Sequence, residues 1–348
     1  MTAHSRLRKT RKSRIYSKIN RFIYVFSAIT MSGLFVIGYF LYKDFSRDYS
    51  SAFSSSSIEP LGEQLYSVVY VTSGSFKERP LLVEKLNFLL IDTTSSKIIN
   101  YEVSTYHKMD LPGIYGVESL SNMFEICMLN SENTLEDCSD LVNTTISKLF
   151  GFPADRYIFV ESDKRYVVED FLHGNLDLLG KDMNLKSFKD SIRTNLSFNE
   201  ALHLYKFANS LPSDRVITKE LGTTYYDRLS LLDEELQDLT FDSAVSRENL
   251  SVAVLNASEM PGVASFASRM IKNIGGRVVA ACNSSTLSPK TILITDDPNS
   301  YSARFIQNNF NISDDNVITS NEARSVTDYD VYRSDITLLI GLDFATSL

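Results

Sequence analysis

The pattern of apolar and polar positions changes character three times along this chain. Residues 22–42 are mainly apolar and hold not one charged side chain. As a helix, a run of that length spans about 31 Å, enough for the hydrocarbon core of a bilayer. Residues 61–221 show short runs of strand formers alternating with helical stretches. Residues 86–91 (L-N-F-L-L-I) and 98–103 (I-I-N-Y-E-V) are two such runs, joined by the hairpin-like D-T-T-S-S-K at 92–97. Residues 141–150, 166–172 and 198–208 read as helices, and 157–160 as a strand. This alternation predicts a layered α/β domain.

Residues 251–348 carry the clearest periodicity. Val252, Ala253, Val254 and Leu255 make a short β-type run, and Pro261-Gly262 marks a turn. Val263, Phe266, Ala267, Met270, Ile271 and Ile274 then recur on one helical face, and Gly275-Gly276 stops the helix. Val278-Val279 and residues 292–294 read as strands, residues 301–310 as a second helix, and residues 336–340 as a closing buried strand. The expected module is a small α+β domain, β-α-β twice, with both helices on one face of the sheet.

Between these blocks, residues 43–60 are serine-rich and lack apolar periodicity, as a flexible linker does. Residues 222–250 are polar and acidic; they read mainly as a connector, with room for a helix at 226–239.

Charge fixes a topology. Arg6, Arg8, Lys9, Arg11, Lys12, Arg14, Lys18 and Arg21 precede the apolar run, and no acid does. The positive-inside rule places residues 1–21 in the cytoplasm and everything after residue 42 outside. The competing reading is a cleaved signal peptide. The run is longer than a usual h-region and no clear A-x-A site follows, so a retained single-pass anchor is expected. Orientation alone accounts for the basic tail, and no nucleic-acid partner is expected. The chain has 35 Lys and Arg against 43 Asp and Glu. With the tail set apart, the portion outside the membrane is strongly acidic, which gives anionic polymers no general attraction.

Familiar catalytic patterns are missing. His4, His107, His173 and His203 show no metal-ligand spacing, and there is no G-x-S-x-G elbow, Walker loop or G-x-G-x-x-G. Cys127 and Cys138 flank a polar loop and can pair in an oxidising compartment, or stay as buried thiols; Cys282 is left over. Six Asn-x-Ser/Thr triplets occur and are ascribed to chance in a chain rich in Asn and Ser.

Residues 251–348 resemble the LytR C-terminal domain of bacterial envelope proteins, through V-A-V-L-N at 252–256 and D-I-T-L-L-I-G-L-D-F at 335–344. Residues 61–221 resemble the LytR-CpsA-Psr domain. The likeness runs through K-I-I-N-Y-E-V at 97–103, D-L-P-G at 110–113, L-F-G-F-P-A-D-R-Y-I at 149–158 and the stretch 167–174. That resemblance implies an enzyme moving glycopolymers from polyprenyl-diphosphate carriers onto peptidoglycan, with an arginine cluster on the diphosphate and a magnesium ion held by acidic groups. Bidentate arginines suit phosphate oxygens, and a metal offsets charge in the transition state.

This chain departs from the pattern where the charge should be. The family's Arg-x-Asp falls at Lys85-Leu86-Asn87, its Pro-Arg-Asp at Ser104-Thr105-Tyr106, and its Lys-Ile-Asn at Ser119-Leu120-Ser121. Its later arginine pair falls at Lys206 and Ala208. The domain therefore reads as degenerate. The first reading is a non-catalytic binding or scaffolding protein of the envelope, without a cofactor, with a cell-wall glycan or an envelope protein as partner. The second is a divergent, magnesium-dependent transferase in which Lys85, Lys108, Asp110, Arg156 and Lys206 converge around a lipid pocket. His107 and Asp92 are neighbouring substitutes; the plainer reading of Lys108, Asp110, His107 and Asp92 is solvated loop residues, and of Arg156 a surface arginine before a buried strand. A third reading, a transcriptional attenuator, lacks a DNA-binding helix pair.

Overall fold

Most of the strands described below sit in runs of aliphatic and aromatic residues, and the hydrophobic faces of the helices close over them. The computed structural model describes residues 65–166 and 191–348, apart from residues 94, 114, 131, 132, 153, 155, 197 and 347. The first half contains β1 (Leu65–Ser73), β2 (Val83–Asp92), β3 (Lys97–Val103), β4 (Lys108–Leu111), β5 (Gly116–Ser119), α1 (Met123–Cys127), α2 (Cys138–Phe150), β6 (Arg156–Glu161), β7 (Ile192–Thr194), α3 (Phe198–Ser210) and β8 (Val216–Glu220). Next come α4 (Thr223–Asp227), α5 (Leu229–Thr240) and α6 (Ser243–Glu248). The second half contains β9 (Ser251–Asn256), α7 (Val263–Asn273), β10 (Arg277–Asn283), β11 (Ile292–Thr295), α8 (Tyr301–Asn309), β12 (Val317–Ile318), β13 (Ile336–Ile340) and α9 (Leu342–Ala345).

The larger sheet has the order β7-β6-β1-β2-β3-β8. β1 runs parallel to β6, β3 runs parallel to β8, and β2 lies antiparallel between β1 and β3. The carboxyl ends of β1, β3, β6 and β8 therefore share one edge. The expected hairpin between residues 86–91 and 98–103 is present, pairing Leu90 with Ile99. Its turn is set by Asp92, whose carboxylate accepts the Ser95 N–H at 3.0 Å. Asp92 thus serves the turn.

Strand alternation divides the side chains between two faces. On one face, Val69, Val71, Leu86, Phe88, Leu90, Tyr101 and Phe159 pack against Val142, Ile146, Leu149 and Phe150 of α2. The Phe88 and Phe150 rings lie 4.4 Å apart. α2 ends where Gly151 takes a left-handed conformation (φ 58°) and its N–H donates to the Ser147 carbonyl. On the other face, Val68, Leu89, Ile91, Ile98, Ile158 and Val160 pack against Leu204 and Ala208 of α3. A disulfide joins Cys127 at the end of α1 to Cys138 at the start of α2, resolving the two sequence readings in favour of the bond.

The smaller sheet has the order β10-β9-β13-β11-β12. α7 and α8 cover the same face of it, through Val263, Ala267, Ile271, Ala303 and Ile306 against Val254, Leu293 and Leu338. The first β-α-β is as expected, with β9 and β10 parallel. The second differs. β11-α8 is closed by β12, which is parallel to β11, whereas β13 is antiparallel to β11 and inserts between the two units. All five residues of β13 are buried, as a central position requires.

The expected connector at 222–250 is built differently too. Leu232 and Leu236, one turn apart on α5, are fully buried and belong to the same core as Phe88 and Phe150. That core continues through Val245 to Ile274 of the second half. The described residues lie in one compact unit. Residues 1–21, 22–42 and 43–60, read as tail, anchor and linker, lie outside the described residues, as do 167–172 of the expected helix at 166–172. Among the described residues no helix is long and apolar enough to cross a membrane.

Candidate functional site on the central sheet

The sheet face turned toward α3 is itself amphipathic. Its amino-terminal half is apolar, with Val68, Leu89, Ile91 and Ile98. Toward the shared carboxyl edge β1, β2 and β3 turn polar, whereas β6 stays apolar through Ile158 and Val160. Thr72 and Asn87 are buried there, and Asn100 and Glu102 half-buried. The Thr72 hydroxyl donates to Tyr70 Oη at 3.2 Å, and Asn87 Nδ2 donates to Asn100 Oδ1 at 2.8 Å. Lys85, paired with Thr72 across the ladder, is exposed at this end. Ligands of open α/β sheets commonly sit at the carboxyl ends of parallel strands, and this edge is where the motif positions gather.

Val103 pairs with Leu86, so Ser104 leaves β3 beside Lys85. Ser121 N–H donates to the Thr105 carbonyl at 2.7 Å, Ser119 Oγ donates to the same carbonyl at 2.9 Å, and Leu120 N–H reaches the His107 carbonyl at 3.0 Å. Residues 104–106 and 119–121 thus meet through backbone and hydroxyl groups, next to residues 85–87 at the end of the β2–β3 ladder. Thr105, in the position of the expected arginine, is buried, and Tyr106, in the position of the expected aspartate, is 87% exposed. His107 stacks on Tyr226 with ring centroids 3.7 Å apart, and Tyr226 Oη accepts the Ser104 N–H at 2.9 Å. Burial pushes the Tyr226 hydroxyl up to about 12. His107 therefore packs an aromatic support under the loop.

The five proposed substitutes do not converge. Lys108 and Asp110 sit on the β4–β5 ribbon, which packs by Met109 and Leu111 against the α2 side of the sheet. Asp110 acts on Lys148 of α2: burial lowers the Lys148 pKa and the Asp110 charge partly restores it. Arg156 belongs to the opposite face. It is half-buried, not a surface arginine, and forks onto Glu200 of α3, with Nε at 3.0 Å and a terminal nitrogen at 2.6 Å from the same oxygen. Arg156 pairs with Val68 and Lys85 with Thr72, a separation of about 13 Å along the strands alone. Lys206 is exposed on α3, and Ala208, its partner in the motif, is buried beneath that helix.

The described residues do not fit a magnesium ion at this edge. The position of the expected carboxylate is Asn87, a neutral amide already donating to Asn100. No group of three or more His, Cys, Asp or Glu suited to a metal occurs among the described residues.

Two polar clusters escaped the sequence reading. Glu235 of α5 accepts from Tyr101 Oη at 3.2 Å, from Tyr225 Oη at 2.7 Å and from Lys219 Nζ. Burial would raise the Glu235 pKa, but these hydrogen bonds and the Lys219 charge outweigh it and hold it below the usual range. Burial, then the Glu235 charge, pushes the Tyr101 hydroxyl well up. The second cluster joins Arg269 and Asn273 of α7 to Asp233 of α5 and the end of α2. A lone arginine on an amphipathic helix carries no signal for such a contact, since the same pattern fits a solvated face.

The architecture is therefore a mixed α/β sheet with an amphipathic face, followed by a second, smaller sheet. No protein-family model matches the chain, and no curated protein does. Among solved structures, it is similar to a LytR-CPS2A-psr family protein, YwtF (TagT), with bound octaprenyl pyrophosphate lipid, at 14% identity and TM-score 0.37, over 54% of this chain and 98% of that one. B. subtilis TagV follows at 10% identity and TM-score 0.36, covering 51% and 97%. The Lin1025 protein of Listeria innocua stands at 9% and 0.35, covering 51% and 100%. Likeness at this level assigns neither a family nor a ligand to this chain.

Proposed function

We propose that this chain is a single-pass envelope protein, anchored by residues 22–42 with its amino terminus in the cytoplasm, that binds rather than transfers. The observation that carries this reading is the meeting of residues 85–87, 104–106 and 119–121 at one sheet edge with hydroxyls and amides where phosphate chemistry needs arginines and carboxylates. Phosphoryl groups are stabilised by fixed positive charge, bidentate arginine above all. Lys85 contributes a single point charge, and Arg156 is committed to Glu200. The disulfide between Cys127 and Cys138 supports a location outside the cytoplasm. An amphipathic face that is apolar at one end and rich in amides and hydroxyls at the other suits a glycan-bearing amphiphile or a protein segment of the envelope.

The test is calorimetry of the full-length chain in detergent micelles with a polyprenyl diphosphate, with and without magnesium. No saturable binding by the folded protein is expected. Magnesium-dependent, saturable binding that is lost in Lys85→Ala or Lys108→Ala would overturn the non-catalytic reading in favour of the divergent transferase.

A further inference from the structure

The edges of the two sheets are not treated alike. β7 has three residues and includes Arg193; β12 has two; β8 carries Lys219 and Glu220. Short or charged edges resist pairing with another chain. β10 is seven residues long, R-V-V-A-A-C-N, and after Arg277 it has no charge. Val279 is 46% exposed, and Ala281, Cys282 and Asn283 are exposed as well.

The backbone shows what this edge can accept. The Ser284 N–H donates to the Asn256 carbonyl at 2.8 Å, and β10 and β9 stay in regular register from Ala280 to Asn283. Peptide groups along a strand point alternately to either side, so Cys282 and Ser284 direct theirs at β9 while Ala281 and Asn283 direct theirs away. The bulge at Val279 ends the regular ladder on the other side. We infer that residues 280–284 pair antiparallel with the same segment of a second copy of this chain, about a two-fold axis at Cys282.

In that register Ala281 of each copy exchanges both hydrogen bonds with Asn283 of the other, so the outward groups satisfy one another. Ala280 faces Ser284, and no charged residue of the segment meets its like. A two-fold pairing makes one strand serve as its own complement. The two Cys282 residues become a directly opposed, non-hydrogen-bonded pair with Cα atoms about 4.5 Å apart, inside the range a disulfide spans. The thiol is thus a reporter of the register; the pairing itself is non-covalent and independent of what the central sheet binds.

The experiment is sedimentation velocity of the full-length chain in density-matched detergent over a concentration series, beside cross-linking by diamide. Diamide takes two hydrogens from two Cys282 thiols as the sulfur–sulfur bond forms. The chain is expected to pass from monomer to dimer with concentration and to give a covalent dimer that Cys282→Ser abolishes. Ala281→Pro removes only an outward N–H, so it keeps the β9 ladder; it is expected to leave thermal unfolding unchanged, abolish the dimer and slow cross-linking at least tenfold. Ala281→Lys, which puts charge into the seam, is expected to act the same way and covers the case in which the proline variant is unstable. A chain that stays monomeric at every concentration, or a dimer that forms and cross-links equally well in both variants, overturns the inference.

Discussion

Arg269 Nε lies 2.8 and 2.7 Å from the two carboxylate oxygens of Asp233, tying α7 of the second half to α5. The rest of the guanidinium donates to the carbonyls of Lys148 and Leu149, at 2.5 and 2.8 Å, at the end of α2. Asn273, one turn further along α7, donates to the Gly151 carbonyl at 2.9 Å and to Asp233 at 3.0 Å. A cation at a helix carboxyl terminus faces the negative end of its dipole and fills carbonyls the helix leaves unpaired. Arg269→Ala leaves a half-buried carboxylate and two carbonyls without these donors. A loss of about 2–4 kcal/mol is expected in equilibrium denaturation. Arg269→Lys should recover little of it, because an ammonium cannot reach three acceptors in one plane.

Gly151 sits under the same contact. A Cβ there would come within 2.6 Å of Asn273 Nδ2 and 2.7 Å of Arg269 Nε, on a residue whose φ is already 58°. Gly151→Ala should therefore cost more than the roughly 1 kcal/mol of a left-handed alanine alone. The double variant with Arg269→Ala should cost less than the sum of the two single ones, since both remove the same contact. Strict additivity in that cycle would separate Gly151 from the latch.

The Cys127–Cys138 bond closes a short loop between two buried helix ends. Loop-closure arguments give a bridge of this span about 3 kcal/mol. Cys127→Ser with Cys138→Ser is expected to lower the free energy of unfolding by that amount, and a reducing agent to do the same to the parent chain while leaving the double variant unchanged.

Asp140, in the first turn of α2, is half-buried, and burial followed by the nearby Asp137 charge raises its carboxyl from 3.8 to about 6. The folded state thus holds this proton more tightly than the unfolded state. Its cost to stability is absent below about pH 4, grows as pH rises between about 4 and 6, and is fully present above that. Solvent screening limits the effect to about 1 kcal/mol. Asp140→Asn should be the more stable form at pH 7 by that margin and equal to the parent at pH 4, as urea unfolding at the two values would read.

Legibility followed the physics of each element. The α7 face from Val263 to Ile274 was plain, because six apolar positions at helical spacing end at two glycines. The β2–β3 hairpin was plain for the same kind of reason. β1 carries no such signal: it lies inside the sheet and is buried on both faces, so Val68, Val69, Tyr70 and Val71 show no alternation. The order of strands around β13 was hidden as well, since pairing partners are a property of the whole sheet. At the candidate site the nearness of residues 85–87 to Ser104 follows from the β2–β3 hairpin alone. What was not recoverable was the face on which each substitute would lie, because Arg156 and Lys108 look alike in sequence and the sheet lies between them.

The position of β13 has a consequence for how the chain is made. Ile336–Ile340 supplies hydrogen bonds to β9 on one side and β11 on the other. Until that segment has been synthesised, the two units it joins are separate pieces with open seams, and the second half must wait, incomplete, for some eighty residues after β9 has appeared.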